Sequence, residues 1–174
     1  MTPLHSERLV MRPFTEDDAA LILALVNDAD WLRFIGDKNV QDLDDARRYL
    51  REGPLAMYRR HGFGLCRVEQ RSDGAALGMC GLLQRETLAD VDVGFALLPA
   101  GRGQGYAREA AAAMLAHGFG TLGQARIVAI TDPANDASAR VLEAVGMRFE
   151  RVVQLEPGAK TLRLYAAGAP PRPG

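Results

Sequence analysis

The segment Leu98-Pro-Ala-Gly101-Arg102-Gly103-Gln104-Gly105-Tyr106-Ala107 constrains this chain more than any other. An alternating apolar run, Val91 to Leu98, ends at it, and an alanine-rich helical run begins at once beyond it. Glycine at three alternate positions lets the backbone turn tightly and come close to whatever it faces. The first amides of the helix lack carbonyl partners, and the helix dipole makes that end positive. These features build a pocket for phosphate, with Arg102 as a cation at its rim. A tight strand-to-helix turn without a ligand is the plainer alternative.

Two other phosphate loops fit less well. A P-loop needs Lys-Ser or Lys-Thr after its last glycine, and Gly105 is followed by Tyr106-Ala107. A dinucleotide fingerprint needs G-x-G-x-x-G, whereas Gly101, Gly103 and Gly105 are spaced G-x-G-x-G. Asp132, 27 residues beyond Gly105, keeps a nicotinamide-enzyme reading open. Only 67 residues follow Ala107, too few for the rest of a doubly wound sheet.

The remaining pattern predicts one domain over residues 1–174, with its core at about 8–167 and a loose tail at 168–174. Strands are predicted at Arg8–Phe14, Gly64–Glu69, Ala76–Gln84, Val91–Leu98, Arg126–Thr131, Phe149–Leu155 and Thr161–Ala167. Helices are predicted at Ala19–Val26, Leu43–Glu52 with a continuation to Arg60, Tyr106–Leu122 and Asp136–Val145. Trp31–Gly36 reads as a turn or short helical piece. The Val91–Thr131 unit is a strand–helix–strand crossover, so its two strands are parallel. The fold class is therefore α/β, a mixed sheet with helices on both faces.

The formal net charge of −1 implies no general attraction to nucleic acid or an anionic membrane. The N-terminus lacks the apolar run of a signal peptide, and a cytoplasmic protein is expected. Cys66 and Cys80 read as reduced and packed, and His5, His61 and His117 are too scattered for a metal site.

Arg102-Gly-Gln-Gly105-Tyr-Ala107 resembles the Arg/Gln-x-x-Gly-x-Gly/Ala loop of the GNAT acetyltransferases. Glu7–Phe14 and Asp92-Val-Gly-Phe95 resemble strands of their ribosomal-protein N-acetyltransferase (RimJ/RimL-like) branch. Asn135-Asp-Ala-Ser138, continuing to Leu142-Glu143 and Gly146-Met147, resembles its Asn-x-x-Ser-x-x-x-Leu-Glu-x-x-Gly-Phe signature. The chain departs from that branch at Ala100–Gly103, where an aromatic-Trp-Gly lead-in is usual, and at Met147, where Phe is usual.

The resemblance implies a mostly antiparallel sheet whose central parallel pair splays apart. It implies acetyl-CoA as co-substrate and direct acetyl transfer to a primary amine, on a protein N-terminus or a small molecule. Arg102, Gly103, Gln104, Gly105, Tyr106 and Ala107 would hold the pyrophosphate. The backbone of Phe95, Ala96, Leu97 and Leu98 would pair with the pantetheine arm, with the Leu97 and Leu98 amides as oxyanion donors. Asn135 would bond the same arm, or only cap a helix; Ser138 would return a proton to the CoA sulfur, or only face water. Asp92 is the candidate base, with Glu86 and Asp90 as rivals. A monomer or homodimer is expected.

A non-catalytic acetyl-CoA sensor remains the alternative from another class. The acceptor is read as a small or peptidyl primary amine, with a polyamine or aminoglycoside as runner-up. Seven acids favour the latter if they gather at the acceptor entrance: Asp37, Asp42, Asp44, Asp45, Glu86, Asp90 and Asp92.

Overall fold

The computed structural model describes residues 1–171. An eight-stranded sheet carries the fold. In chain order its strands are β1 (Leu4–His5), β2 (Leu9–Pro13), β3 (Leu65–Gln70), β4 (Ala76–Leu83), β5 (Val91–Leu97), β6 (Arg126–Thr131), β7 (Arg148–Val153) and β8 (Leu162–Gly168). The spatial order is β1-β2-β3-β4-β5-β6-β8-β7, and every pairing is antiparallel except β5 with β6.

The helices are α1 (Ala19–Val26), α2 (Ala29–Phe34), α3 (Leu43–Glu52), α4 (Pro54–His61), α5 (Tyr106–Gly120) and α6 (Asp136–Ala144). One face of the sheet packs Leu9, Val68, Leu82 and Val93 against Met114 of α5 and Leu142 of α6. The other packs Met79 against Leu25 of α1, Trp31 of α2 and Leu50 of α3. Each such fully buried Leu or Met contributes about 1.5–3 kcal/mol relative to exposure, so two separate helix layers secure the sheet. β4 is buried along nearly its whole length because helices cover both of its faces.

The alanine-rich composition of α5 has a packing reason. Ala110 and Ala111 are fully buried, and a Cβ on Gly118 would meet Ile127 Cδ1 at 2.5 Å. Small side chains let the helix lie close over β4 and β5. At the opposite edge, Asp18 accepts the Thr15 amide at 2.9 Å and guanidinium groups from Arg12 (2.8 Å) and Arg67 (2.7 Å). That network ties the start of α1 to β2 and β3.

Several expectations are corrected here. β1 is an added strand, too short to show a period, and it pairs through Leu4 with Met11. Trp31–Gly36 resolves into α2, which begins earlier because Asp28 caps it by accepting the Asp30 amide. β8 inserts between β6 and β7 and runs through Gly168, and the Ala169 amide donates to Ala125 at 2.9 Å, so the start of the proposed loose tail is anchored. Residues 172–174 of that tail lie outside the described residues.

β5 pairs with β4 at six positions, from Asp92 to Leu97. With β6 it shares only Val91↔Ile127 and Asp92↔Val128. Beyond Asp92 the parallel strands part.

Candidate active site

A cleft of about 860 Å³ opens where β5 and β6 separate. Asp92 to Leu97 line one wall, Ala129 to Asp132 the other, and the starts of α5 and α6 close its ends. Leu98 N–H donates to Leu77 of the β4 side at 2.8 Å. The alternation of an antiparallel ladder then turns the Phe95 and Leu97 amides the other way, toward the cleft. This corrects one expectation: Leu98 is not an oxyanion donor, because its amide is already engaged, and its side chain packs with the α1–α3 core. The Leu97 amide faces the cleft. The Leu97 carbonyl accepts Arg102 Nε at 3.1 Å.

The glycine loop delivers α5 to the mouth of this cleft. Gly103 and Gly105 have φ of 73° and 81°, the left-handed conformation that costs any residue with a Cβ. Gly105 is the N-cap, and its carbonyl receives the first helical bond, from Glu109 at 3.0 Å. The amides of Tyr106, Ala107 and Arg108 therefore have no helical acceptor. Gly105, Tyr106, Ala107 and Arg108 all line the cleft. Arg108 makes no ion pair among the described residues and is the cation in the first turn of α5. The sequence reading missed it because any Arg on a helix surface looks the same without knowing which turn faces a ligand.

Arg102, by contrast, is not a free rim cation. It pairs with Asp28 and, at 3.0 Å, with Asp30, so it fastens the loop to α2. Gln104 also serves the loop: its Nε2 donates to Ala100 at 2.8 Å and its carbonyl accepts Arg8 Nη1 at 2.9 Å. Arg8 lies 4.5 Å above the Tyr106 ring and bonds Glu109 at 2.7 Å. β2 thus clasps the loop and the first turn of α5. Tyr106 is buried in the core beneath that clasp, leaving its backbone to the cleft.

Asn135 caps α6, its Oδ1 accepting the Ser138 amide at 3.1 Å. The capping role is therefore real, and the amide nitrogen of the side chain remains available. Ser138 is half-buried on the cleft wall.

Asp92 lies at the start of the parting, 1% exposed. Burial pushes its carboxyl up to about 6, against the opposing pull of Arg85, whose Nε reaches both oxygens at 3.0 and 3.1 Å. A carboxylate tuned toward neutrality is suited to taking a proton at physiological pH. Its rivals are elsewhere: Asp90 is tied to Arg126 at 3.0 Å, and neither it nor Glu86 lines the cleft.

The gathering of seven acids does not occur. Asp42 and Asp45 are engaged at the start of α3, Asp44 pairs with Arg47, and Asp37 accepts the Asn39 amide. Only Asp92 of the seven lines the cleft. Lys38, Tyr49, Arg85 and Lys160 line it instead. They come from four separate segments, so no local pattern linked them. Cys66 and Cys80 are free and buried.

A family model described as an acetyltransferase (GNAT) domain matches residues 8–148, from the Arg8 clasp to the first residue of β7. The chain is a GNAT N-acetyltransferase. It is 29% identical to the uncharacterized Bacillus subtilis protein YkkB over 156 residues, 88% of this chain and 89% of that one. It is 26% identical to the uncharacterized Bacillus subtilis N-acetyltransferase YoaA over 153 residues, 87% and 85% of the two chains. Its fold is shared with a putative ribosomal-protein-serine acetyltransferase from Vibrio cholerae, with a TM-score of 0.78 and 20% identity, covering 96% of this chain and 97% of that one. GNAT acetyltransferases generally bind acetyl-CoA and an acceptor. The acetyltransferase offers the unpaired amides of the α5 start at one end of its cleft and strand amides beside Asp92 at the other. Among the described residues no helix is long and apolar enough to cross a membrane.

Proposed function

We propose that this acetyltransferase moves the acetyl group of acetyl-CoA to a primary amine by direct attack in a ternary complex. The observation that carries the reading is the parting of β5 from β6 after Asp92, which turns the Phe95 and Leu97 amides to a cleft ending at the α5 N-terminus. The pyrophosphate is assigned to the Gly103–Arg108 turn, where unpaired amides and Arg108 neutralise it. The pantetheine arm runs along Phe95 to Leu97 as an added strand would.

In this reading the amine nitrogen attacks the thioester carbonyl carbon, and the Leu97 amide steadies the oxyanion. Asp92 takes the proton that the amine sheds. The carbon–sulfur bond then breaks, and the Ser138 hydroxyl passes a proton to the departing thiolate while taking one from solvent, to which Asp92 releases the proton it took from the amine. The products are an N-acetyl amide and CoA thiol. A polyamine or aminoglycoside is disfavoured, because four of the five carboxylates lining the cleft, Asp28, Asp30, Asp92 and Asp132, are already paired with Arg or Lys.

The test is release of CoA thiol from acetyl-CoA as primary amines are added. Amine-dependent release with stoichiometric acetylated product is expected. CoA binding without release on any amine would favour a sensor and overturn the reading.

A further inference from the structure

The carboxylates on the cleft walls are nearly all spoken for. Arg102 holds Asp28 and Asp30, Arg85 holds Asp92, and Lys160 holds Asp132 at 3.1 Å. Asp136, in the first turn of α6, is exposed. Two lining cations have no carboxylate within ion-pair distance among the described residues, Arg108 and Lys38. Arg108 stands beside the glycine loop, where phosphate accounts for it. Lys38 does not.

Lys38 lies on the segment after α2, and that segment is fixed. Asp37 accepts the Asn39 amide at 2.7 Å, Asn39 takes a left-handed φ of 58°, and Asn27 Nδ2 holds the Val40 carbonyl at 2.9 Å. Lys160 reaches the same region from the β7–β8 connection, its Nζ donating to Phe34 at 2.6 Å. Arg85 completes the group: its Nε is given to Asp92, and its two outer nitrogens have no partner among the described residues. Lys38 is exposed at the cleft edge, and partial desolvation there together with the positive charges of Arg85 and Lys160 holds its ammonium below the usual lysine range. Trp31 lines the same cleft, and its buried indole N–H has no acceptor among the described residues. Lys38, Arg85 and Trp31 can only donate hydrogen bonds. An assembly of unmatched donors is complete when an acceptor-rich anion enters it.

We propose that the acceptor is a small primary amine that also carries a carboxylate, with Lys38 and the outer nitrogens of Arg85 holding that carboxylate. Asp92, gripped by the Nε of the same Arg85, then lies on the amine side. One guanidinium therefore sets the distance between the group that recognises the acceptor and the group that takes its proton. A second cation on the acceptor would meet Lys38, Arg85 and Lys160 together. This inference rests on the acetyl-transfer reading and specifies its acceptor.

The test compares free amino acids with their carboxamides, and with spermidine, in a thiol-release assay at saturating acetyl-CoA. The carboxylate-bearing amines are expected to exceed their carboxamides in kcat/KM by about tenfold or more, as a charged hydrogen-bond pair implies. Lys38→Gln is expected to collapse that ratio, and Lys38→Arg to keep it. Equal rates for acids and amides, a best rate with spermidine, or a ratio unchanged in Lys38→Gln would overturn the proposal while leaving acetyl transfer standing. Thiol release with none of these amines, from protein that binds CoA, would overturn this proposal, and acetyl transfer falls with it only if peptides with free N-termini are silent as well.

Discussion

Asp92 lies beneath the parting strands with Arg85 as its ionic partner, and burial outweighs that partner. Raising its carboxyl from the ordinary 3.8 to about 6 disfavours the charged form by about 3 kcal/mol. The folded protein therefore holds a proton that the unfolded chain has released. Stability from this group is complete below about 3.8 and is lost as pH rises through about 6. Asp92→Asn should accordingly gain stability relative to wild type as pH climbs from about 4 to about 7, read from urea unfolding at each pH. The same variant should lower kcat/KM at pH 7 by about a hundredfold and remove an acid limb centred near 6. An identical acid limb in the variant would take the base role from Asp92. Ser138 calls for a different split. A leaving-group acid acts in the transition state, so Ser138→Ala should lower kcat by about tenfold or more while the KM for acetyl-CoA moves little. Unchanged kcat would pass that proton to water.

At the scale of elements, two contacts position the cleft from a distance. Arg8 joins β2 to the Gln104 carbonyl, the Tyr106 ring and Glu109. Arg8→Ala should loosen the loop without touching the reacting atoms, raising the KM for acetyl-CoA several-fold, roughly, with kcat largely kept. Steady-state kinetics decides it: a fall in kcat alone would place Arg8 in the chemistry instead. Gly78 on β4 is the second contact. A Cβ there would run into the Ala96 carbonyl of β5, and its φ of 149° also suits glycine. Gly78→Ala should cost about 1–3 kcal/mol or more in denaturant unfolding, since backbone rather than a side chain must move. A stability equal to wild type would mean that β5 can shift freely against β4.

Across the whole molecule, what could be read from the chain was what is local. The start of α5 at Tyr106 and the end of β5 near Leu97 follow from a change of period across three glycines. The division into two helix layers follows from amphipathic runs, and the GNAT family from three spaced motifs matched over residues 8–148. Pairing at long range was not legible. Nothing in Leu162–Gly168 states that it lies between β6 and β7, and two residues at Leu4–His5 are too few to show alternation. The site divides along the same line. Gly103 and Gly105 are properties of their own segment. The capture of Arg102 by Asp28, the engagement of the Leu98 amide by Leu77, and the convergence of Lys38, Arg85 and Lys160 depend on other elements.

The central claim is that acetyl-CoA enters this cleft with its phosphates on the Gly105–Arg108 turn. Calorimetric titration of CoA into wild type and Gly105→Val tests it most directly. A branched side chain at φ 81° strains the turn by about 1–2 kcal/mol and crowds the approach to its amides and to Arg8. The variant should keep a cooperative thermal transition while its CoA affinity falls by at least about tenfold, more than 1.4 kcal/mol. A folded Gly105→Val protein that binds CoA as tightly as wild type would contradict the account.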